Sequence, residues 1–117
     1  MKPTRALGNW GENKAADFLI ELGFLILERN WRYKHREIDI IARDGEDLVF
    51  IEVKTRHPGQ FGFPEESITR KQRKAIMSAA MVYLRTGVKY RDIRFDVVSI
   101  QVKNDVPDIL HIRDAFV

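Results

Sequence analysis

The chain has 117 residues, 44% of them hydrophobic and 32% charged, with no cysteine and a net charge of +3. That describes one folded domain over residues 1–117, and the missing thiols exclude disulfides, thiolate zinc sites and cysteine nucleophiles together. No apolar run approaches the roughly 20 residues of a membrane-spanning helix, and the Met1-Lys2-Pro3-Thr4-Arg5 start leads into no apolar signal core, so a cytoplasmic protein with no membrane partner is expected.

Residues 10–22 read as an amphipathic helix, with Ala15, Ala16, Leu19 and Leu22 or Gly23 on one stripe. Gly23 is its expected stop. Glu12 falls on the inward stripe, where a carboxylate needs a partner. Alternatively Asn9-Trp10-Gly11-Glu12 is a capping box, with Glu12 closing the first turn. A helix beginning earlier, capped by Thr4, removes that second explanation. Phe24 to Tyr33 follows as a strand. Its start is apolar on both faces, which predicts a place inside the sheet. Asn30-Trp31-Arg32-Tyr33-Lys34-His35-Arg36 then interleaves cations with aromatics. Such a segment either grips phosphates and stacks on bases, or simply packs Trp31 and Tyr33 on neighbouring strands.

Residues 37–56 carry the densest signal: two apolar runs around a short acidic turn, the pattern of an antiparallel hairpin. Glu37, Asp39 and Ile41 share one face of the first strand, and Phe50, Glu52 and Lys54 one face of the second. With Asp44 paired to Asp47 around Gly45-Glu46, Asp39 lies opposite Glu52 and Glu37 opposite Lys54. A hairpin tight around Asp44-Gly45 opposes Asp39 to Phe50 instead, with Glu52 on the diagonal. Either register gathers two carboxylates and an amine. Neighbouring carboxylates repel unless a proton or cation lies between them. A divalent ion such as Mg²⁺ or Mn²⁺ answers that need, with the lysine beside a reacting phosphate. The plainer alternative is a solvated cross-strand ion pair.

Thr55 to Pro64 is a loop, in which Phe61 and Phe63 are free to anchor, wedge into a substrate or meet another subunit. Thr69-Arg70-Lys71-Gln72 is a capping box, followed by Ile76, Ala79, Ala80, Tyr83 and Leu84 at helical spacing up to Gly87. Arg70, Lys71, Arg73 and Lys74 crowd the positive end of this helix. An anionic partner favours that placement; a solvated face offset by Glu65 and Glu66 is the other explanation. Residues 91–102 alternate as a fourth strand, and residues 109–113 form a last one, with Pro107 marking an edge. The order is helix, three strands, helix, two strands, with a crossover around the second helix.

A helix-borne glutamate, a strand aspartate and then Glu-x-Lys, followed by a cationic helix, resemble the PD-(D/E)XK restriction-endonuclease-like nucleases. The amino-terminal glutamate is similar to the archaeal Holliday-junction resolvases. More closely, the chain resembles the YraN-like family of small bacterial proteins, through Gly11-Glu12 with Ala15-Ala16, Arg29-Asn30-Trp31-Arg32, Glu37-Ile38-Asp39, Val49 to Arg56, Phe61-Gly62 and Arg94 to Val98. Two departures stand out. Arg36 fills a place where a glycine is usual before Glu-Ile-Asp, and Gln72 is followed by Ile76 where some nucleases of this fold have tyrosine.

The resemblance implies an α/β fold with a restriction-endonuclease-like αβββαβ core, a central mixed sheet flanked by helices and an extra C-terminal edge strand. It implies a metal held by Glu12, Asp39, Glu52 and the Val53 carbonyl, with Lys54 as the catalytic amine and Glu37 just behind the ligands. The activity implied is metal-dependent hydrolysis of phosphodiester bonds, in structured or branched DNA, with RNA a second candidate and a homodimer conceivable. Arg32, Lys34, Arg36, Arg56, Arg70, Lys71, Arg73 and Lys74 would hold the backbone. The alternatives are a non-catalytic nucleic-acid-binding module and a protein-interaction adaptor.

Overall fold

The computed structural model describes residues 5–56, 68–104 and 106–116. Seven elements follow in order: α1 (Arg5–Glu21), β1 (Leu25–Tyr33), β2 (Arg36–Asp44), β3 (Asp47–Arg56), α2 (Arg70–Leu84), β4 (Ile93–Lys103) and β5 (Val106–Ile112). The strands form one sheet in the order β1-β2-β3-β4-β5. Every neighbouring pair is antiparallel except β3 and β4, and those two are linked through α2 because parallel neighbours need a crossover connection. This is the expected α/β mixed sheet with β5 as an added edge strand, compatible with a nuclease-like core.

The helices cover opposite faces. Ala15, Ala16 and Leu19 of α1 join Ile40, Ala42, Val49, Ile51, Val98 and Ile100. Ile76, Ala79, Ala80 and Tyr83 of α2 join Ile38, Ile41, Leu48, Phe50, Phe95 and Val97. With both faces covered, β2 to β4 read as nearly unbroken apolar runs. The α2 start is the capping box expected: Gln72 donates its amide to Thr69 Oγ1 at 3.1 Å, and the Gln72 side chain accepts from the Thr69 amide at 2.9 Å.

Three expectations need correction. The first helix begins at Arg5, so Asn9 is already helical and Glu12 lies mid-helix, out of reach of a capping role. Its end is as expected: the Phe24 and Gly23 amides bond back to Leu19 and Ile20, a Schellman-type stop. Second, β1 is an edge strand, not an interior one. Its two apolar faces reflect cover by both helices, with Ile26 on the α1 side and Leu27 and Trp31 on the α2 side. Cover of faces says nothing about pairing of edges, and Leu25 is 61% exposed.

The third concerns the hairpin. Asp44 does pair with Asp47, and Ile40 with Ile51, around Gly45 at φ +63°, as a two-residue turn with glycine first requires. However, the ladder stops at Ile40 and Ile51, so Asp39 does not pair with Glu52, nor Glu37 with Lys54. The facing of β2 also changes phase there: Ile38 and Ile41 lie toward α2, whereas Ile40 and Ala42 lie toward α1. Strict alternation would put Ile38 with Ile40. The strands part where the acids begin.

Candidate functional site

Glu12 reaches the sheet because of its neighbour. Gly11 packs so closely on β3 that a Cβ there would overlap the Thr55 hydroxyl. Only glycine permits that approach, and it sets α1 at the height where Glu12 meets the parted ends of β2 and β3. Asp39 occupies the gap. Its Oδ2 accepts a hydrogen bond from the Val53 amide at 2.9 Å, taking the place that a ladder carbonyl would have filled.

Glu12, Glu37 and Asp39 each offer a carboxylate oxygen, and the three oxygens lie within 4.8 Å of one another. Ligands on opposite sides of a Mg²⁺ or Ca²⁺ ion are about 4–5 Å apart, so the trio spans one ion's coordination sphere. Hard carboxylate oxygens are also the right donor chemistry for such ions. Glu37, expected behind the ligands, falls within this trio, its Oε2 also paired with Arg32 at 2.8 Å. Glu52 stands beside it. Lys54 Nζ lies 3.8 Å from Glu52 Oε1, both side chains largely buried. Val53 enters the site through its amide hydrogen bond to Asp39.

The electrostatics fit an acid cluster short of positive charge. Burial pushes Asp39 well above the usual carboxylate range, and the neighbouring Glu52 charge pushes it further, against the pull of the Val53 amide. Burial also raises Glu52, while Lys54 and a hydrogen bond from the Asp39 carboxyl hold it down. Glu12 is raised by burial and by Glu37, and eased by Asn30 and Arg29. The cluster therefore holds protons more tightly than free carboxylates do, and a cation would relieve the same repulsion.

Asn30 is a member of the site that patterning alone did not single out. It sits within β1 at φ 51°, a left-handed backbone uncommon for any residue but glycine, although Asn tolerates it best. With its amide nitrogen toward the acids, it donates to Glu12 Oε2 at 2.9 Å and to Glu37 Oε1 at 3.0 Å. The signal available in the sequence was its place in Arg29-Asn30-Trp31-Arg32.

The cations are placed unevenly. Arg32 is tied to Glu37, and Lys34 lies 5.4 Å over the Tyr33 ring. Arg36 is exposed and Arg56 half-buried. Arg70, Lys71 and Lys74 are exposed in the first turns of α2, while Arg73 folds over the Phe116 ring at 5.8 Å. Trp31 is half-buried against Tyr83, ring centroids 5.2 Å apart, the packing on a neighbouring element that was one of its two expected roles. The loop with Phe61 and Phe63, and Glu65 and Glu66 after it, lies outside the described residues.

Asp96, also absent from the expected site, is fully buried on β4. Arg94 grips it through two hydrogen bonds of 2.8 and 3.0 Å, His111 Nε2 lies 2.8 Å away, and the Asp114 amide donates at 3.0 Å. Although burial opposes it, these partners hold Asp96 below the ordinary aspartate value. Arg94 continues to Asp44 at 3.0 Å, so the network ties β4 and the segment after β5 to the hairpin. It is a structural lock.

The chain matches the model of the uncharacterised protein family UPF0102 over residues 11–100, which includes every carboxylate of the cluster and Lys54. It belongs to that family. UPF0102, the YraN-like family, is a group of small bacterial proteins. Among its relatives, a UPF0102 protein of Geotalea daltonii is 50% identical over 115 residues, covering 96% of this chain and 90% of the relative. One of Caldicellulosiruptor saccharolyticus is 46% identical over 115 residues, covering 96% and 98%. One of Rhodococcus jostii is 44% identical over 113 residues, covering 95% and 96%. Among the described residues, no helix of this UPF0102 chain is long and apolar enough to cross a membrane.

Proposed function

We propose that the protein is a divalent-metal-dependent phosphodiesterase acting on nucleic acid, with structured or branched DNA as its substrate. The observation that carries this reading is the approach of Glu12, Glu37 and Asp39 to within one ion's span, with the Glu52–Lys54 pair alongside. Glu12 and Asp39 would hold Mg²⁺ or Mn²⁺, with Glu37 or Glu52 completing the set. Asp39 keeps Oδ1 for the ion while Oδ2 stays on the Val53 amide.

When bound, the ion supplies a Lewis acid beside the reacting phosphate. The remaining work belongs to the chain. Water adds to phosphorus, the bridging P–O bond breaks, and the water's proton ends on the leaving alcohol. Lys54, set in place by Glu52, orients that water and offsets the negative charge that builds on the phosphate oxygens. Exposed Arg36, Arg70, Lys71 and Lys74 offer charge to the flanking backbone.

The test is a panel of labelled duplex, flap, junction, single-stranded and RNA substrates, incubated with Mg²⁺ or Mn²⁺ beside Asp39→Asn. Metal-dependent cleavage by the wild type that disappears in the variant supports the reading. Equal turnover by both proteins, or none on any substrate, removes it.

A further inference from the structure

A cleft of about 380 Å³ opens beside Glu12, lined by Asn9, Glu12, Asn13, Arg29 and Asn30. Among the described residues, every side chain that lines it is polar. Its carboxamides are not interchangeable, because neighbouring bonds orient them. Asn13 Oδ1 accepts from Arg29 Nη2 at 2.8 Å, which leaves the Asn13 amide nitrogen as a donor. With its amide nitrogen turned to Glu12 and Glu37, Asn30 keeps its carbonyl oxygen as an acceptor. The cleft thus combines a carboxamide donor with a carboxamide acceptor, and the guanidinium beside them adds further donors.

Resting on the nucleic-acid reading above, we infer that this cleft receives an unpaired nucleobase next to the phosphate held at the acid cluster. A phosphate has acceptors only, and in the cleft its charge would face Glu12. A base edge presents donor and acceptor on adjacent atoms, the pattern a carboxamide pair matches. In a continuous duplex that edge is taken by the partner base. The cleft therefore selects strand ends, flaps and branch points, where a base is free to turn outward.

The test is fluorescence anisotropy with a labelled single-stranded oligonucleotide and the same strand carrying abasic sites, with Ca²⁺ in place of Mg²⁺. The proteins are the wild type and the double variant Asn9→Ala/Asn13→Ala, each checked for folding by circular dichroism. The wild type should prefer the intact strand by about tenfold, the scale of one good base contact. The double variant should retain its affinity for the abasic strand and lose the preference. Equal wild-type binding of both strands overturns the inference, as does a preference that survives in the variant. If Arg29→Ala weakens both strands equally and the preference persists, the cleft is a backbone site and the inference also falls. Cleavage is scored separately: base preference without cleavage leaves the cleft assignment and removes the hydrolase, and cleavage without preference does the reverse. Failure to bind either strand removes both.

Discussion

The Asp39 carboxylate takes the Val53 amide at 2.9 Å, just beyond the last paired residues of β2 and β3, Ile40 and Ile51. A side chain has replaced a main-chain acceptor. The acid is thereby fixed in the strand gap, beside Glu12, Glu37 and Glu52, where its charge is least welcome.

Asparagine at position 39 keeps an acceptor for Val53 and removes one charge from the cluster. Asp39→Asn should therefore raise the metal-free stability by about 1 kcal/mol, a few degrees in melting temperature. Asp39→Ala should lower it by about 1–3 kcal/mol, because the Val53 amide loses its partner. Thermal melts without metal check both. Equal destabilisation by the two variants would count against a charge-strained site.

Lys54 pairs with Glu52 at 3.8 Å. Lys54→Ala should leave the fold intact and reduce metal-dependent cleavage by about 100-fold or more. It should also raise the Glu52 pKa, since Lys54 now holds that group down. Carboxyl-carbon NMR titration and single-turnover kinetics measure the two effects. An unchanged cleavage rate would exclude Lys54 from the chemistry.

The pH dependence has two opposing parts. Glu12, Asp39 and Glu52 are raised by burial, so the native state holds their protons more tightly than the unfolded chain. Their contribution is full below the ordinary carboxylate values and is lost as pH rises through the raised ones. Mg²⁺ competes with those protons. The melting-temperature gain on adding Mg²⁺ should accordingly grow as pH rises from the ordinary carboxylate values through the raised ones. A gain that is flat across that range would mean the ion binds elsewhere.

Asp96 has the opposite sign. Its value is lowered by His111, Arg94 and the Asp114 amide against the push of burial, so its stabilisation is present above the ordinary aspartate value and lost as pH falls through the lowered one. Asp96→Ala leaves Arg94 and His111 around an empty place and should cost about 3–5 kcal/mol. Urea denaturation at neutral pH tests this; a loss below about 1 kcal/mol would contradict the network's role.

Gly11→Ala forces a methyl group onto Thr55 and should cost about 1–3 kcal/mol by overpacking. Thr55→Ala in the same chain should recover part of that loss, a coupling a double-mutant cycle reads directly. Because Glu12 is the next residue, Gly11→Ala should also weaken the Mg²⁺-induced stabilisation. Additive costs would show that the close approach does not set the position of α1.

Features governed by local rules were legible along the chain: the Thr69–Gln72 cap, the stop at Gly23, the apolar central strands and the edge marked by Pro107. Those follow from alternation, helical spacing and turn chemistry, which act over a few residues. The hairpin was legible too, but its register was not: the acidic turn allowed two, and the Asp44–Asp47 pairing of the folded sheet chose between them. Which carboxylates meet was settled by long-range packing. The parting of β2 and β3 after Ile40 turned Asp39 onto the Val53 amide, the Gly11–Thr55 approach brought in Glu12, and the left-handed Asn30 linked Glu12 to Glu37. Asp96 likewise found Arg94, His111 and the Asp114 amide only once β5 had folded against β4. Each of these relations joins residues distant along the chain, and their positions depend on how the helices settle on the sheet, which no short-range pattern encodes.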